Sequence, residues 1–366
     1  MKGIWKYDHL LPVVDDSCKI VLGEGNTPLV KAKNIGAALG LKNLYFKLEN
    51  INPSGSYKDR FAACAIAGLI QNGAKICFAT SSGNTGAALA AYSAAAGIKC
   101  FLAIVDGAPL GKLQQMQAYG AQTLMIRDFG KDYAVTNEVM ERLTAIASAY
   151  NSIVQISAYT YSPMGMKGIQ TIAYELAEYL PAENKHIFSP AGGGGLTMSL
   201  IEGFNNWTKQ NSSFNYPKIN CVQPEGNNTI SGPLKNGSVK AESIVKSLTK
   251  ISGLQVPNVL DGNEVIAGCR ASGGTGYLVP DELVYDCQHM LAVKEGIFCE
   301  PAGAVALAGL TMALKNNTIP VNDHVICLVT GSGFKDPDSA KKMAERSGSR
   351  YFDTVDETFQ FIKSGI

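Results

Sequence analysis

Lys58 stands where a tight turn gives way to a helix. Asn52-Pro53 and Ser54-Gly55 before it are turn formers, and the apolar run from Phe61 to Ile70 reads as a buried helix. A structural cation is out of place there, because it opposes the positive end of the helix macrodipole. A reactive amine is well placed. Positive potential and desolvation both increase the share of an amine in its nucleophilic free-base form. Taken alone, a lysine after a turn is usually a solvated surface group, so the remaining stretches decide.

Ser189-Pro190-Ala191-Gly192-Gly193-Gly194-Gly195-Leu196 joins a predicted strand to a predicted helix. Glycines permit positive φ and close approach, so successive N–H groups can converge on one anion. The helix from Leu196 adds its positive end. No GxxxxGK[ST] occurs: the nearest approach, Gly107 to Lys112, has the wrong spacing and is followed by Leu113. A GxGxxG counted from Gly193 and Gly195 ends on Met198. The anion is therefore a cofactor monophosphate rather than a nucleotide.

Ser81-Ser82-Gly83-Asn84-Thr85-Gly86 is a second strand-to-helix junction. Its N–H groups and the hydroxyls of Ser82 and Thr85 suit a carboxylate, and the Asn84 amide can donate to a phenolate. By itself the stretch reads as a helix N-cap. The last predicted strand ends in Thr330-Gly331-Ser332-Gly333, where Thr330 alone would be a strand-end hydroxyl bonded to backbone. All four sites fall at the carboxyl ends of strands, where doubly wound sheets hold ligands. A reactive lysine, a carboxylate loop, a phosphate cup and a hydroxyl together fit pyridoxal phosphate.

The elements that must position these groups alternate along the chain. Strands are expected at 44–48, 75–79, 99–105, 122–126, 154–156, 186–189, 218–223 and 324–330. Helices are expected at 34–39, 58–71, 87–96, 112–119, 133–150 and 168–179, with another from Leu196. This pattern predicts an α/β fold of largely parallel sheets with helices on both faces. At 366 residues the chain is long for one core, so two interleaved lobes are expected.

Composition narrows the function classes. Hydrophobic residues make up 46% and charged residues 17%, as in a globular protein with large interiors. A net charge of +1 gives no electrostatic footprint for nucleic acid. No run approaches the roughly 18 apolar residues of a membrane span, and Met1 to Leu10 lack the apolar core of a signal peptide. Nine cysteines without Cys-x-x-Cys spacing point to reduced thiols in the cytoplasm. The four isolated histidines offer no metal site.

Six stretches then occur in a familiar order: Gly25-Asn26-Thr27-Pro28-Leu29, the loop around Lys58, Ser82-Gly83-Asn84-Thr85, the tetraglycine, Glu300-Pro301-Ala302, and Thr330-Gly331-Ser332-Gly333-Phe334-Lys335-Asp336-Pro337. Together, from Gly23 to Pro337, they resemble the threonine synthase branch of the fold-type II pyridoxal-phosphate enzymes. The resemblance implies a two-lobed fold like that of the tryptophan synthase β chain. A large cofactor lobe would comprise 1–55 and 166–366. A smaller, mobile lobe, 56–165, would carry the carboxylate loop and close over a small amino-acid substrate. It further implies a homodimer that converts O-phosphohomoserine to threonine by elimination and replacement.

By the same resemblance, Lys58 is the Schiff-base lysine and proton shuttle. Asn84 bonds the cofactor's phenolic oxygen, and Ser82 and Thr85 hold the substrate carboxylate. Gly192, Gly193, Gly194 and Gly195 cup the phosphate, and Thr330 faces the pyridine nitrogen. A hydroxyl there does not keep the nitrogen protonated, so the chemistry leans more on Lys58 as acid and base.

Three positions depart from the family pattern. Gly165 stands where threonine synthases usually carry an Arg that grips the substrate phosphate, Gly193 replaces a usual Asn, and Ser332 a common His. Lys167 or Lys112 would be the replacement cation, as a point charge without Arg's bidentate fork. The departures leave room for a serine or threonine dehydratase, or for β-replacement on an O-activated serine. Outside catalysis stand a silent amino-acid binder and a phosphate-binding α/β protein without pyridoxal.

Overall fold

The computed structural model describes residues 3–108, 110–179 and 184–365, and for 110–112 the backbone alone. In chain order its strands are β1 (Leu29–Lys31), β2 (Asn43–Leu48), β3 (Ile76–Thr80), β4 (Lys99–Ile104), β5 (Gln122–Met125), β6 (Val154–Gln155), β7 (Lys185–Pro190), β8 (Lys218–Pro224), β9 (Gly276–Val279) and β10 (His324–Val329). They form a six-stranded sheet in the order β1-β2-β10-β7-β8-β9 and a four-stranded sheet in the order β5-β4-β3-β6. Every pairing is parallel except the short edge strand β1 against β2. The molecule is thus a two-lobed α/β protein with mixed and parallel sheets covered by helices.

β10 lies at the centre of the larger sheet, its Ile326 opposite both Tyr45 of β2 and Ile187 of β7. Val325 to Val329 are all buried, which is why this strand reads as an unbroken apolar run rather than an alternating one. After β2 the chain leaves the larger sheet through the helix Lys58–Gln71. It builds β3 to β6 and returns through the helices Pro163–Ile169 and Thr171–Tyr179 into β7. The carboxyl ends of β2, β10 and β7 are therefore adjacent, and their loops carry Lys58, Thr330 and the tetraglycine.

The outgoing and returning helices pack closely through glycine. A Cβ on Gly168 would overlap the Arg60 carbonyl, and one on Gly165 would lie 2.5 Å from Phe61 Cε2. The helix Lys58–Gln71 is buried along most of its length, from Asp59 to Ala67 and at Leu69, as expected of a helix that is apolar nearly all round.

Two boundaries differ from the sequence reading in ways that matter. The expected helix 168–179 is two helices meeting at Gln170, the first started by Pro163 in its first turn. The helix expected from Ala87 begins at Asn84, because Ser81 Oγ accepts from Gly83 N at 3.3 Å and Gly86 N at 3.0 Å. Asn84 and Thr85 are thereby held on a rigid first turn instead of a loop. The stretch between 236 and 323 held no expected element. It contains β9 and the helices Gly262–Ala271, Asp281–Glu295 and Pro301–Lys315.

Candidate active site

The lysine loop is stitched to the end of β10. Tyr57 N donates to Thr330 O at 3.1 Å and Ser332 N to Gly55 O at 2.8 Å, so Ser56 and Gly331 face each other as an isolated antiparallel bridge. Gly55 has φ +91, a left-handed conformation that glycine adopts without penalty. The buried Asp59 carboxylate accepts from Ser54 N at 3.0 Å and Ser54 Oγ at 2.8 Å. Burial nevertheless pushes its pKa up to about 6.

Below the loop lies a fully enclosed charge network. Arg60 Nε is 2.8 Å from Glu49 Oε2, Arg60 Nη1 is 2.6 Å from Glu175 Oε1, and Lys47 Nζ is 2.6 Å from Glu175 Oε2. The Gly25 to Leu29 motif closes it: Asn26 N donates to Glu175 Oε1 at 2.6 Å and Thr27 Oγ1 to Glu49 Oε1 at 2.6 Å. Two cations face two carboxylates, so the buried charges balance. Burial alone would raise the Glu175 pKa, but Arg60 and Lys47 outweigh it and hold this carboxyl at about 2. This clamp fixes the helix turn from which Lys58 projects.

The Lys58 amine is half-buried. It donates to Ser157 Oγ at 2.6 Å and lies 4.6 Å from the centre of the Tyr57 ring. Ser157 Oγ is in turn 3.1 Å from Thr85 Oγ1. A hydrogen-bonded chain therefore joins the amine to the first turn of Asn84–Ala95. Ser157 was not among the sequence candidates, and its one signal was its place just beyond a predicted strand. Ser82 is half-buried in the same junction, whose turn is held by Ser81.

Asn84 Nδ2 donates to Glu300 Oε1 at 2.7 Å. Glu300 belonged to a recognised stretch but carried no assigned role. Thr330 is buried at the end of β10, with its carbonyl engaged by Tyr57.

The tetraglycine leads into the helix Gly195–Gln210, with Gly194 at φ +98. Its outer side is packed tight. A Cβ on Gly192 would lie 3.0 Å from Val256 Cγ2, and one on Gly193 would lie 3.0 Å from Leu260 Cδ1. Among the described residues the amides of Gly192 to Gly195 donate to no carbonyl or side chain. These four N–H groups stand at the positive end of a 16-residue helix, where an anion is favoured. With the Lys58 amine linked through Ser157 to the junction that carries Asn84 and Thr85, the residues present fit pyridoxal phosphate.

Lys167 lines a cavity of about 430 Å³ with Tyr159, Glu202, Asp261 and Glu264. Asp261 links this cavity to the site, since it accepts from Tyr159 N at 3.2 Å and its own N donates to Gly193 O at 3.2 Å. The side chain of Lys112 lies outside the described residues. Gly165 is buried against the Phe61 ring, so no long side chain fits at that position. Among the described residues no His/Cys/Asp/Glu cluster is arranged to hold a metal, and no helix is long and apolar enough to cross a membrane.

Comparison with known proteins agrees with this chemistry. A family described as "Pyridoxal-phosphate dependent enzyme" matches residues 20–331. The chain is 32% identical to threonine synthase of Methanocaldococcus jannaschii over 94% of its own length and 83% of the relative's. It is 31% identical to threonine synthase of Halalkalibacterium halodurans over 99% and 97%. Among solved structures it is similar to the processed form of threonine deaminase isoform 2 from Solanum lycopersicum, with TM-score 0.72, 20% identity and 94% of each chain covered. Maize serine racemase gives TM-score 0.71 and 22% identity over 88% of this chain and 93% of that one. These structural likenesses speak for the fold, and the sequence relatives for the branch. The chain belongs to the pyridoxal-phosphate dependent enzyme family, as a threonine synthase-like lyase that performs elimination and replacement on an amino acid.

Proposed function

We propose that this enzyme converts O-phosphohomoserine and water to threonine and phosphate. The observation that carries the reading is the link Lys58–Ser157–Thr85, which sets a general acid–base amine against the predicted carboxylate site. Pyridoxal phosphate, when bound, would supply the electron sink that loosens the proton on the amino-bearing carbon and then those on the carbon next to it. Lys58 moves protons between the substrate carbons, with Ser157 Oγ holding its nitrogen between transfers. Ser82, Thr85 and the amides of Asn84 and Thr85 bind the substrate carboxylate, the Gly86 amide being taken by Ser81. Asn84 donates to the phenolic oxygen, Gly192 to Gly195 bind the cofactor phosphate, and Thr330 faces the pyridine nitrogen.

We read 56–165 as a lobe that closes over the substrate and excludes water during elimination. The nine cysteines, all buried free thiols, support a cytoplasmic setting, and we take the working unit to be a homodimer. The substrate phosphate falls to Lys167 or Lys112. Lys167 shares its cavity with three carboxylates, which oppose a dianion.

The test is incubation of the holoenzyme with O-phosphohomoserine and mass detection of products. Threonine with equimolar phosphate supports the proposal. Turnover of serine or threonine to a 2-oxo acid and ammonia, with O-phosphohomoserine untouched, establishes the dehydratase instead. The packing of Gly165 on Phe61 favours that second reading, since no cation can project from there.

A further inference from the structure

Asn84 and Glu300 are 216 residues apart in sequence and form one hydrogen bond, Nδ2 to Oε1 at 2.7 Å. The contact is built rather than incidental. Glu300 is 7% exposed, and its N–H donates to Gly331 O at 3.0 Å, tying it to the segment after β10. A Cβ on Gly331 would overlap Glu300 Oε1 and come within 3.2 Å of Asn84 Nδ2. Glycine at 331 is thus what admits the carboxylate to this position.

An ionised carboxylate only accepts hydrogen bonds, whereas an amide has a donating and an accepting end. Glu300 therefore selects one of the two flips of Asn84, the one that turns the NH2 group toward it. That group carries two hydrogens, and Glu300 takes one. The opposite flip would set the Asn84 carbonyl against a phenolate, acceptor against acceptor. We propose that Glu300 is a positioning residue. It fixes the Asn84 amide so that the second N–H is presented to the phenolic oxygen of pyridoxal phosphate, and Gly331 is glycine to make room for it. The inference rests on the reading of Asn84 as the phenolate's partner.

The experiment uses holoenzymes of the wild type, Asn84→Ala, Glu300→Gln and the double variant. The readouts are the visible absorption maximum of the bound cofactor, its pH titration, and the cofactor Kd after removal and readdition. Glu300→Gln keeps the size of the side chain but lets it offer either end of an amide, so it would no longer select a flip. Asn84→Ala is expected to weaken cofactor binding roughly tenfold and to move the band. Glu300→Gln should move both in the same direction by less, and the double variant should match Asn84→Ala alone. Gly331→Ala, which crowds the carboxylate without removing it, should shift the band as Glu300→Gln does, with thermal unfolding confirming that each variant is folded. Additive effects in the double variant overturn the inference. So does a wild-type spectrum and Kd in Glu300→Gln beside altered values in Asn84→Ala. Wild-type behaviour of Asn84→Ala overturns the Asn84 reading itself, and this inference with it.

Discussion

Lys58 Nζ lies 2.6 Å from Ser157 Oγ, although one residue opens the helix leaving the larger sheet and the other follows the last strand of the smaller one. This contact joins the two sheets at the amine. Lys58→Ala is expected to abolish turnover and to leave no cofactor attached to the chain after borohydride reduction. In the wild type, peptide mapping should place the adduct on Lys58. Ser157→Ala should still give that adduct but lower kcat roughly tenfold, the share of one hydrogen bond to a charged group. An unchanged kcat with a raised KM would make Ser157 a substrate-binding group instead.

Gly165 packs where a Cβ would meet Phe61 Cε2 at 2.5 Å and Cδ2 at 2.7 Å. Gly165→Ala should therefore cost about 1–3 kcal/mol through overpacking, read as a shift of the urea midpoint at constant slope. Gly165→Arg should destabilise further and restore no grip on phosphate, seen as an unimproved KM for O-phosphohomoserine. A folded, tighter-binding arginine variant would show that the Phe61 contact yields, and that the position remains open to substrate.

What the sequence disclosed and what it hid divide along physical lines. The turn before Lys58, the strand end before Thr330 and the strand-to-helix junctions at Asn84 and the tetraglycine were legible because turn residues and strand ends are local signals. Even the bounds of Lys58–Gln71 followed from its apolar run. Ser157 and Glu300 were not legible, since their contacts with Lys58 and Asn84 are made across distant elements. The Arg60–Glu175 pair spans 115 residues, and a charged side chain carries no local sign that it will be fully enclosed. The helix Pro301–Lys315 escaped the reading because it is buried on nearly every side, which erases the polar face that periodicity needs.

Glu175 makes stability depend on pH in a definite sense. Its carboxyl is held at about 2 in the folded chain, while an unfolded glutamate titrates near 4.3. Over that window the unfolded state binds the proton more readily, so acid favours unfolding. The contribution is complete above about pH 5 and falls away as pH drops toward 2, on the order of 3 kcal/mol in all. Glu175→Gln leaves Arg60 and Lys47 enclosed with one carboxylate fewer, at a cost of about 3–5 kcal/mol near neutral pH. It should also flatten this acid limb. Urea unfolding at a series of pH values checks both, and an undiminished acid limb in the variant would assign it to other carboxyls.

Gly194 offers the sharpest test of the phosphate cradle. Its φ of +98 is a left-handed conformation, and a Cβ there would lie 3.0 Å from Val265 Cγ2 and 3.1 Å from Ile230 Cδ1. Gly194→Ala should cost about 1–2 kcal/mol in backbone strain alone and shift the amides that converge at the helix start. If those amides hold the phosphate, the variant should bind pyridoxal phosphate at least tenfold more weakly, a loss of one charge-assisted hydrogen bond. Pyridoxal without its phosphate should bind both proteins alike, because it never reaches the cradle. Absorbance titration of the cofactor-free enzymes with each compound separates the cases. Equal losses for the two compounds would mean that the strain spreads to the lysine and that the amides of Gly192 to Gly195 do not hold the phosphate.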